Sequence, residues 1–212
     1  ILQGDMVEGE AIFAGQPFEI DSDLWKQALR TVPELIAHVV TELSPLVPKI
    51  KVAAVHGNHG RSGMKHTGHS RRSNWDIVSY ETAKLLCDVS GLKNVEWDIS
   101  THWYVIQKVA GHGIFCVHGD QIGGGSPIPL AGIFKKAQGW QMNIPDWKYL
   151  SLGHFHTHAS GVLNNDLYFF LSGSPESDNE FAKECLAQGG APVQRLCFFD
   201  KQGLISENII RL

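Results

Sequence analysis

The segment Ala54-Val55-His56-Gly57-Asn58-His59 runs from small and β-branched apolar residues into a glycine turn that ends in an amide and an imidazole. Together with the residues before it, Lys51-Val52-Ala53-Ala54-Val55 reads as a short buried strand that delivers side chains at its carboxyl end. Three other stretches repeat the design: Leu2-Gln3-Gly4-Asp5, Phe115-Cys116-Val117-His118-Gly119-Asp120 and Leu152-Gly153-His154-Phe155-His156. In open α/β sheets ligands bind beyond the carboxyl ends of the strands, so residues placed in this way can converge although they lie far apart in the chain. An α/β fold with a strand-end site is therefore expected.

Working outward, Asp21-Ser22 is an N-cap-type pair, and apolar residues follow at Trp25, Leu29, Val32, Ile36, Val39 and Leu43, the spacing of one helical face. Trp25 is assigned to the core on this pattern. Pro33 lies within the run and should kink or divide it, because proline lacks the backbone donor. A loop is expected from His56 to Ser73, then a helix from about Asn74 to Ser90 stopped by Gly91. Trp103 to Val109 and Ile114 to Val117 have strand composition, with Ala110-Gly111-His112-Gly113 as the turn between them. Leu130 to Gln138 is a helix candidate and Lys148 to Leu152 a short strand. Two further strand pairs, Val162-Leu163 with Leu167 to Leu171 and Val193 to Phe199 with Leu204 to Ile210, flank good turn sequences. Strand and helix alternate in the first half, and no repeat or linker interrupts the chain, so 1–212 is read as a single layered domain.

Composition agrees with a folded protein: 43% of the 212 residues are hydrophobic and 19% charged. The formal charge of −4 argues against a surface coated in basic residues for long nucleic-acid tracks. No apolar run reaches the roughly 20 residues of a membrane span. Cys87, Cys116, Cys185 and Cys197 are widely spaced without a Cys-x-x-Cys pair and read as buried free thiols, which fits a reducing, cytoplasmic setting.

Carboxylate, amide oxygen and neutral imidazole together suit borderline divalent metals, with manganese first and iron, zinc or cobalt next. Phosphate-ester hydrolysis uses such ions in pairs about 3.5–4 Å apart to activate water, neutralise the phosphate and orient attack. A carboxylate can bridge two ions, the role assigned to Asp5.

On these residues the chain resembles the calcineurin-like metallophosphoesterase family, whose ordered motifs are Asp-x-His, Gly-Asp-x-x-Asp, Gly-Asn-His-Asp/Glu, a lone histidine after a strand, and Gly-His-x-His. The last four stand here in order, from Gly4 to His156. The resemblance implies an α-β-β-α layered sandwich and two divalent metal ions. It further implies that Asp5 bridges the metals, that Asn58, His118 and His154 complete one seat, and that His156 belongs to the other. His59 would face the substrate phosphate and act as the catalytic residue, stabilising charge or protonating the leaving oxygen.

Three departures accompany it. The Asp-x-His triplet is absent, and the resemblance would place it with a first strand upstream of Ile1, about 30 residues or a little more before the second motif. The second acid after Gly-Asp is Glu8, and the acid after Asn-His is replaced by Gly60, which removes an expected partner of His59. The loop Arg61 to Arg72 carries four formal cations beside His59, so Arg61 is the substrate-binding candidate for phosphate. That loop favours phosphodiesters, including nucleic-acid or nucleotide diesters, over monoesters. The alternatives are a phosphomonoesterase or protein phosphatase and a non-catalytic binding module of the same fold. His56, His112 and His158 flank the motifs and are read as polar loop residues, and Asp120 either as an orienter of an imidazole or as a turn former.

Overall fold

In the computed structural model, residues 1–10, 12, 16–18, 20–63, 72–123, 128–164, 167–176 and 191–212 are described. The chain divides into two compact units, Ile1–Val105 and Ile106–Leu212.

After a 3₁₀ turn (Gln16–Phe18), the first unit forms α1 (Leu24–Lys26), which opens into a π-turn (Gln27–Thr31) and resumes as α2 (Val32–Leu43). The interruption falls where Pro33 predicts it. Proline stands in the first turn of α2, and the Val32 N–H reaches back five residues to the Gln27 carbonyl. The extra residue shifts the phase of the apolar stripe. Leu24, Ala28, Val32, Ile36 and Val40 are buried, whereas Trp25, expected in the core, is 50% exposed and has the Arg30 guanidinium over its ring.

β1 (Ile50–Ala54) pairs in parallel with β2 (Val95–Ile99), and Leu2 forms a parallel bridge to Ala54 on the other side. β2 has no counterpart in the sequence reading; its alternation of half-buried and exposed residues is that of a strand with one covered face. α3 (Trp75–Val89) follows an Asn74 N-cap whose side chain accepts from the Asp76 N–H, and Gly91 ends the segment at φ +78°. Its buried face, Asp76, Ser79, Tyr80, Ala83 and Cys87, follows helical spacing. Tyr80, Ala83 and Cys87 meet Val32, Ile36 and Val40 of α2 and Val52 and Ala54 of β1 in one apolar core.

The second unit is built on a five-stranded sheet in the order β3-β4-β5-β7-β6, with β3 (Tyr104–Val109), β4 (His112–Val117), β5 (Tyr149–Leu152), β6 (Ala159–Asn164) and β7 (Leu167–Leu171). Ala110 and Gly111 turn the hairpin between β3 and β4, both with positive φ. β5 is parallel to β4 and β7, and its last three residues are buried, as expected of a central strand. Helix α4 (Leu130–Asn143) runs five residues past the predicted end and buries Ile133 and Ala137. β8 (Val193–Asp200) and β9 (Gly203–Arg211) form a separate antiparallel hairpin. Tyr149 stacks on Phe170 and meets the edge of Phe199, and its hydroxyl accepts from the Leu204 N–H, which ties that hairpin to the sheet.

The mixed α/β character is observed. Cys87 and Cys116 are buried free thiols and Cys197 is a half-buried one, while Cys185 lies outside the described residues. Among the described residues no helix is long and apolar enough to cross a membrane.

Candidate functional site

The residues singled out by sequence fall into two groups, one in each unit. Asp5, Asn58, His59 and Arg61 belong to the first; His118, His154 and His156 belong to the second.

In the first unit Leu2 and β1 run side by side in the same direction. The Leu2 N–H donates to Ala53 (2.8 Å), and the Val55 N–H donates to Leu2 (2.9 Å). Asp5 and Asn58 therefore leave neighbouring strand ends at the same sheet edge. The two loops touch through glycine. A Cβ on Gly4 would run into the Gly57 backbone, and one on Gly57 would collide with the Asp5 carboxylate. Gly4 also adopts φ +82°, a region that costs a side-chain-bearing residue free energy. This close approach is the physical reason for glycine in both motifs.

His59 is held twice. Its main-chain N–H donates to Asp5 Oδ1 at 2.7 Å, and its ring Nδ1 lies 2.8 Å from Glu8 Oε2. Glu8 thus supplies the carboxylate partner that Gly60 does not. An acid could not stand at position 60 without rearrangement, because a Cβ there would collide with Asn74 Oδ1 and lie 3.0 Å from the Asp76 N–H. Glu8 is fixed in turn by Gln27, whose Oε1 accepts from the Glu8 N–H (2.8 Å) and whose Nε2 donates to the Glu8 carbonyl (3.3 Å). Gln27 opens the π-turn, and such irregularities recur at functional sites.

Arg61 is buried, with 7% of its surface exposed. Its guanidinium donates to the carbonyls of Asn58 (2.9 Å), Gly63 (3.0 Å) and Ile12 (3.2 Å), which ties down the loop carrying Asn58 and His59. Residues 64–71 of the basic loop lie outside the described residues.

Asp76 is the main residue that sequence reading missed. It is fully buried, yet its carboxylate accepts from the N–H groups of Asp5 (3.0 Å), Met6 (2.9 Å) and Gly57 (2.7 Å). Asn74 adds to the same clamp by donating to the Gly57 carbonyl at 2.9 Å. The only sequence signal was an acid in the first turn of a helix, which ordinarily reads as capping. Tyr80, also fully buried, donates from its hydroxyl to the Val55 carbonyl (3.1 Å). Burial, and then the Asp76 carboxylate, push its phenol well above the ordinary range. His56, read as a polar loop residue, is buried at the end of β1.

In the second unit His118 follows β4 and His154 follows β5 across a parallel pairing whose last partners are Val117 and Leu152. The Gly153 N–H donates to the His118 carbonyl at 2.8 Å. The two rings meet edge to face with His118 Nε2 and His154 Nδ1 3.2 Å apart. Two imidazole nitrogens bound to one ion at about 2.0–2.1 Å each stand roughly 2.8–3.0 Å apart at octahedral and roughly 3.3–3.4 Å apart at tetrahedral angles, so a separation of 3.2 Å is close to that of a pair sharing a metal and also suits a hydrogen bond between the rings. His156 is half-exposed and its Nδ1 lies 4.0 Å from the Glu176 carboxylate. His112 is instead occupied at the start of β4, with its ring against Tyr149 and its Nε2 3.2 Å from the Lys201 carbonyl.

Asp5 (φ 53°), His154 (φ 65°) and His156 (φ 53°) all adopt the left-handed backbone, as do Ala110 and Asp146 elsewhere among the described non-glycine residues. The conformation costs on the order of 1–3 kcal/mol for an ordinary residue and clusters at ligand sites. Here it falls on three of the five residues predicted to bind metal.

No protein-family model matches the chain, and no curated protein matches it. Among solved structures, it is similar to a conserved uncharacterized protein from Streptococcus pneumoniae TIGR4 described as a predicted phosphoesterase. That likeness covers 85% of this chain and 91% of the other at 10% identity and a TM-score of 0.38. It is too distant to assign an activity or a residue role.

Proposed function

We propose that the chain is a metal-dependent hydrolase of phosphate esters, with diesters, including nucleic-acid or nucleotide diesters, as its preferred substrates. The observation that carries the reading is the arrangement around His59: a carboxylate on its ring, and the carboxylate of a candidate metal ligand on its own main-chain N–H. Asp5, Asn58, His118 and His154 would hold one divalent ion, and His156, with a share of Asp5, would contribute to a second. Manganese is the first choice, followed by iron, zinc or cobalt. When bound, such ions polarise the phosphoryl group, neutralise its charge and activate water.

The chain's own residues supply proton transfer and orientation. In this reading Glu8 accepts from the His59 Nδ1–H, and Nε2 is the nitrogen assigned to the leaving oxygen. In the imidazolium form Nε2 carries a proton for the leaving oxygen, and the Glu8 carboxylate stabilises that form until the proton is given up. Phosphate contact by Arg61 would use the N–H groups not committed to carbonyls, with Arg72 of the same loop as a second cation. The reading carries with it an α-β-β-α sandwich over 1–212, and a cytoplasmic location remains its expectation.

The test compares Mn²⁺-loaded protein on bis(4-nitrophenyl) phosphate, 4-nitrophenyl phosphate, and single- and double-stranded DNA. Diester cleavage that exceeds monoester cleavage is expected, and monoester turnover alone would reject the diester preference. Tight Mn²⁺ binding without turnover on any of them would favour a non-catalytic binding module.

A further inference from the structure

We infer that Asp76 is a positioning residue that aims Asp5 and the Gly57-Asn58-His59 loop at a shared metal seat; the inference rests on the phosphoesterase reading above. A fully buried carboxylate needs compensation, and three main-chain N–H groups provide it. Those donors belong to both motif loops. Asp76 Oδ2 accepts from Asp5 and Gly57 together, so a single oxygen ties one loop to the other, while Oδ1 accepts from Met6. The carboxylate also sits in the first turn of α3, where the helix dipole favours negative charge.

This clamp bears on metal chemistry for two reasons. Asp5 adopts φ 53°, and its N–H is one of the groups Asp76 holds, so the clamp sets the peptide from which the candidate bridging carboxylate projects. Gly57 precedes Asn58, and the Asn74 side chain holds its carbonyl while Asp76 holds its N–H, which fixes both polar groups of that residue. Ligand donors must be held to within about half an ångström to bind well. Groups that orient metal ligands typically change metal affinity or activity by roughly 10–100-fold when altered.

The experiment uses the full chain with Asp76→Asn and Asp76→Glu. The amide of Asp76→Asn places an N–H donor against at least one main-chain N–H, whereas Asp76→Glu keeps the charge but lengthens the arm. Mn²⁺ affinity is measured by calorimetry, turnover of bis(4-nitrophenyl) phosphate is followed against Mn²⁺ concentration, and folding is monitored by circular dichroism. Asp76→Asn is expected to unfold cooperatively but to bind Mn²⁺ roughly 10–100-fold more weakly, with much of its lost turnover regained at saturating Mn²⁺. Asp76→Glu should fall between it and the parent protein, and it decides the matter if Asp76→Asn does not fold. Parent-like Mn²⁺ affinity in a folded variant overturns the inference and leaves the phosphoesterase reading standing. A parent protein that neither binds Mn²⁺ nor cleaves the ester overturns both. Loss of cooperative folding in both variants also overturns the inference, because Asp76 would then hold the unit together without a particular role at the seat.

Discussion

At the scale of single residues, the roles proposed for His59 and Glu8, proton transfer and orientation, can be separated by substitution. His59→Ala should lower turnover by roughly 10²–10⁴-fold. Mn²⁺ affinity, measured by calorimetry, should change little, because the ring is assigned no metal. Glu8→Gln should have a smaller effect on turnover, since the ring keeps an oxygen acceptor while losing the charge that stabilises imidazolium. Introducing an acid by Gly60→Asp is expected to destabilise the protein and raise no activity, because the Asn74 side chain occupies the space its Cβ needs. A thermal melt and an activity assay check both parts. Tyr80 offers a pH-dependent case. Its folded-state pKa is raised, so its contribution to stability is complete below the unfolded value of about 10 and is lost as pH rises toward the folded one. Tyr80→Phe should flatten the alkaline limb of a denaturation-against-pH curve. At neutral pH it should cost about 1–3 kcal/mol, because the Val55 carbonyl loses its donor in a buried setting.

At the scale of elements, the termini of helices and strands carry the candidate site. Asn74 both caps α3 and holds Gly57, so Asn74→Ala should cost more than the 0.5–2 kcal/mol typical of a lost N-cap. Urea denaturation measures it. The π-turn offers a separate handle: Gln27→Ala removes both bonds to the Glu8 backbone and should lower turnover with little change in Mn²⁺ affinity. Element types were largely legible in the chain, since hydrophobic period and turn residues report on them locally. The helical phase was not. Pro33 announces an interruption, but only the π-turn decides that Ala28 and Val40 turn inward and Trp25 outward. β2 escaped because a five-residue strand with charged outer positions carries little apolar signal.

For the molecule as a whole, the proposed seat takes its ligands from segments far apart in the chain. Asp5→Ala and His118→Ala should therefore each weaken Mn²⁺ binding, although the two residues lie 113 positions apart in the chain. If only one substitution does so, Asp5 and His118 do not share an ion. Ligand linkage gives a second measurement. Mn²⁺ at 100 times its dissociation constant should add about 2.7 kcal/mol of stability over the chelated protein, and that gain should disappear in a variant lacking His118.

Sequence by itself determined which segments end in metal-competent side chains and that strands deliver them, because a strand running into a glycine turn is a local pattern readable over six residues. It also located the helices to within a few positions and pointed to the family resemblance. Tertiary structure alone decided who holds whom. Glu8 meets His59 across 51 positions, and Asp76 reaches Met6 and Asp5 across 70 and 71. Such partners are brought together by packing α3 and the π-turn against the strand ends. The resulting carboxylate contacts leave no periodicity in the sequence, so Asp76 reads there as an ordinary first-turn acid and Glu8 as a conservative substitution.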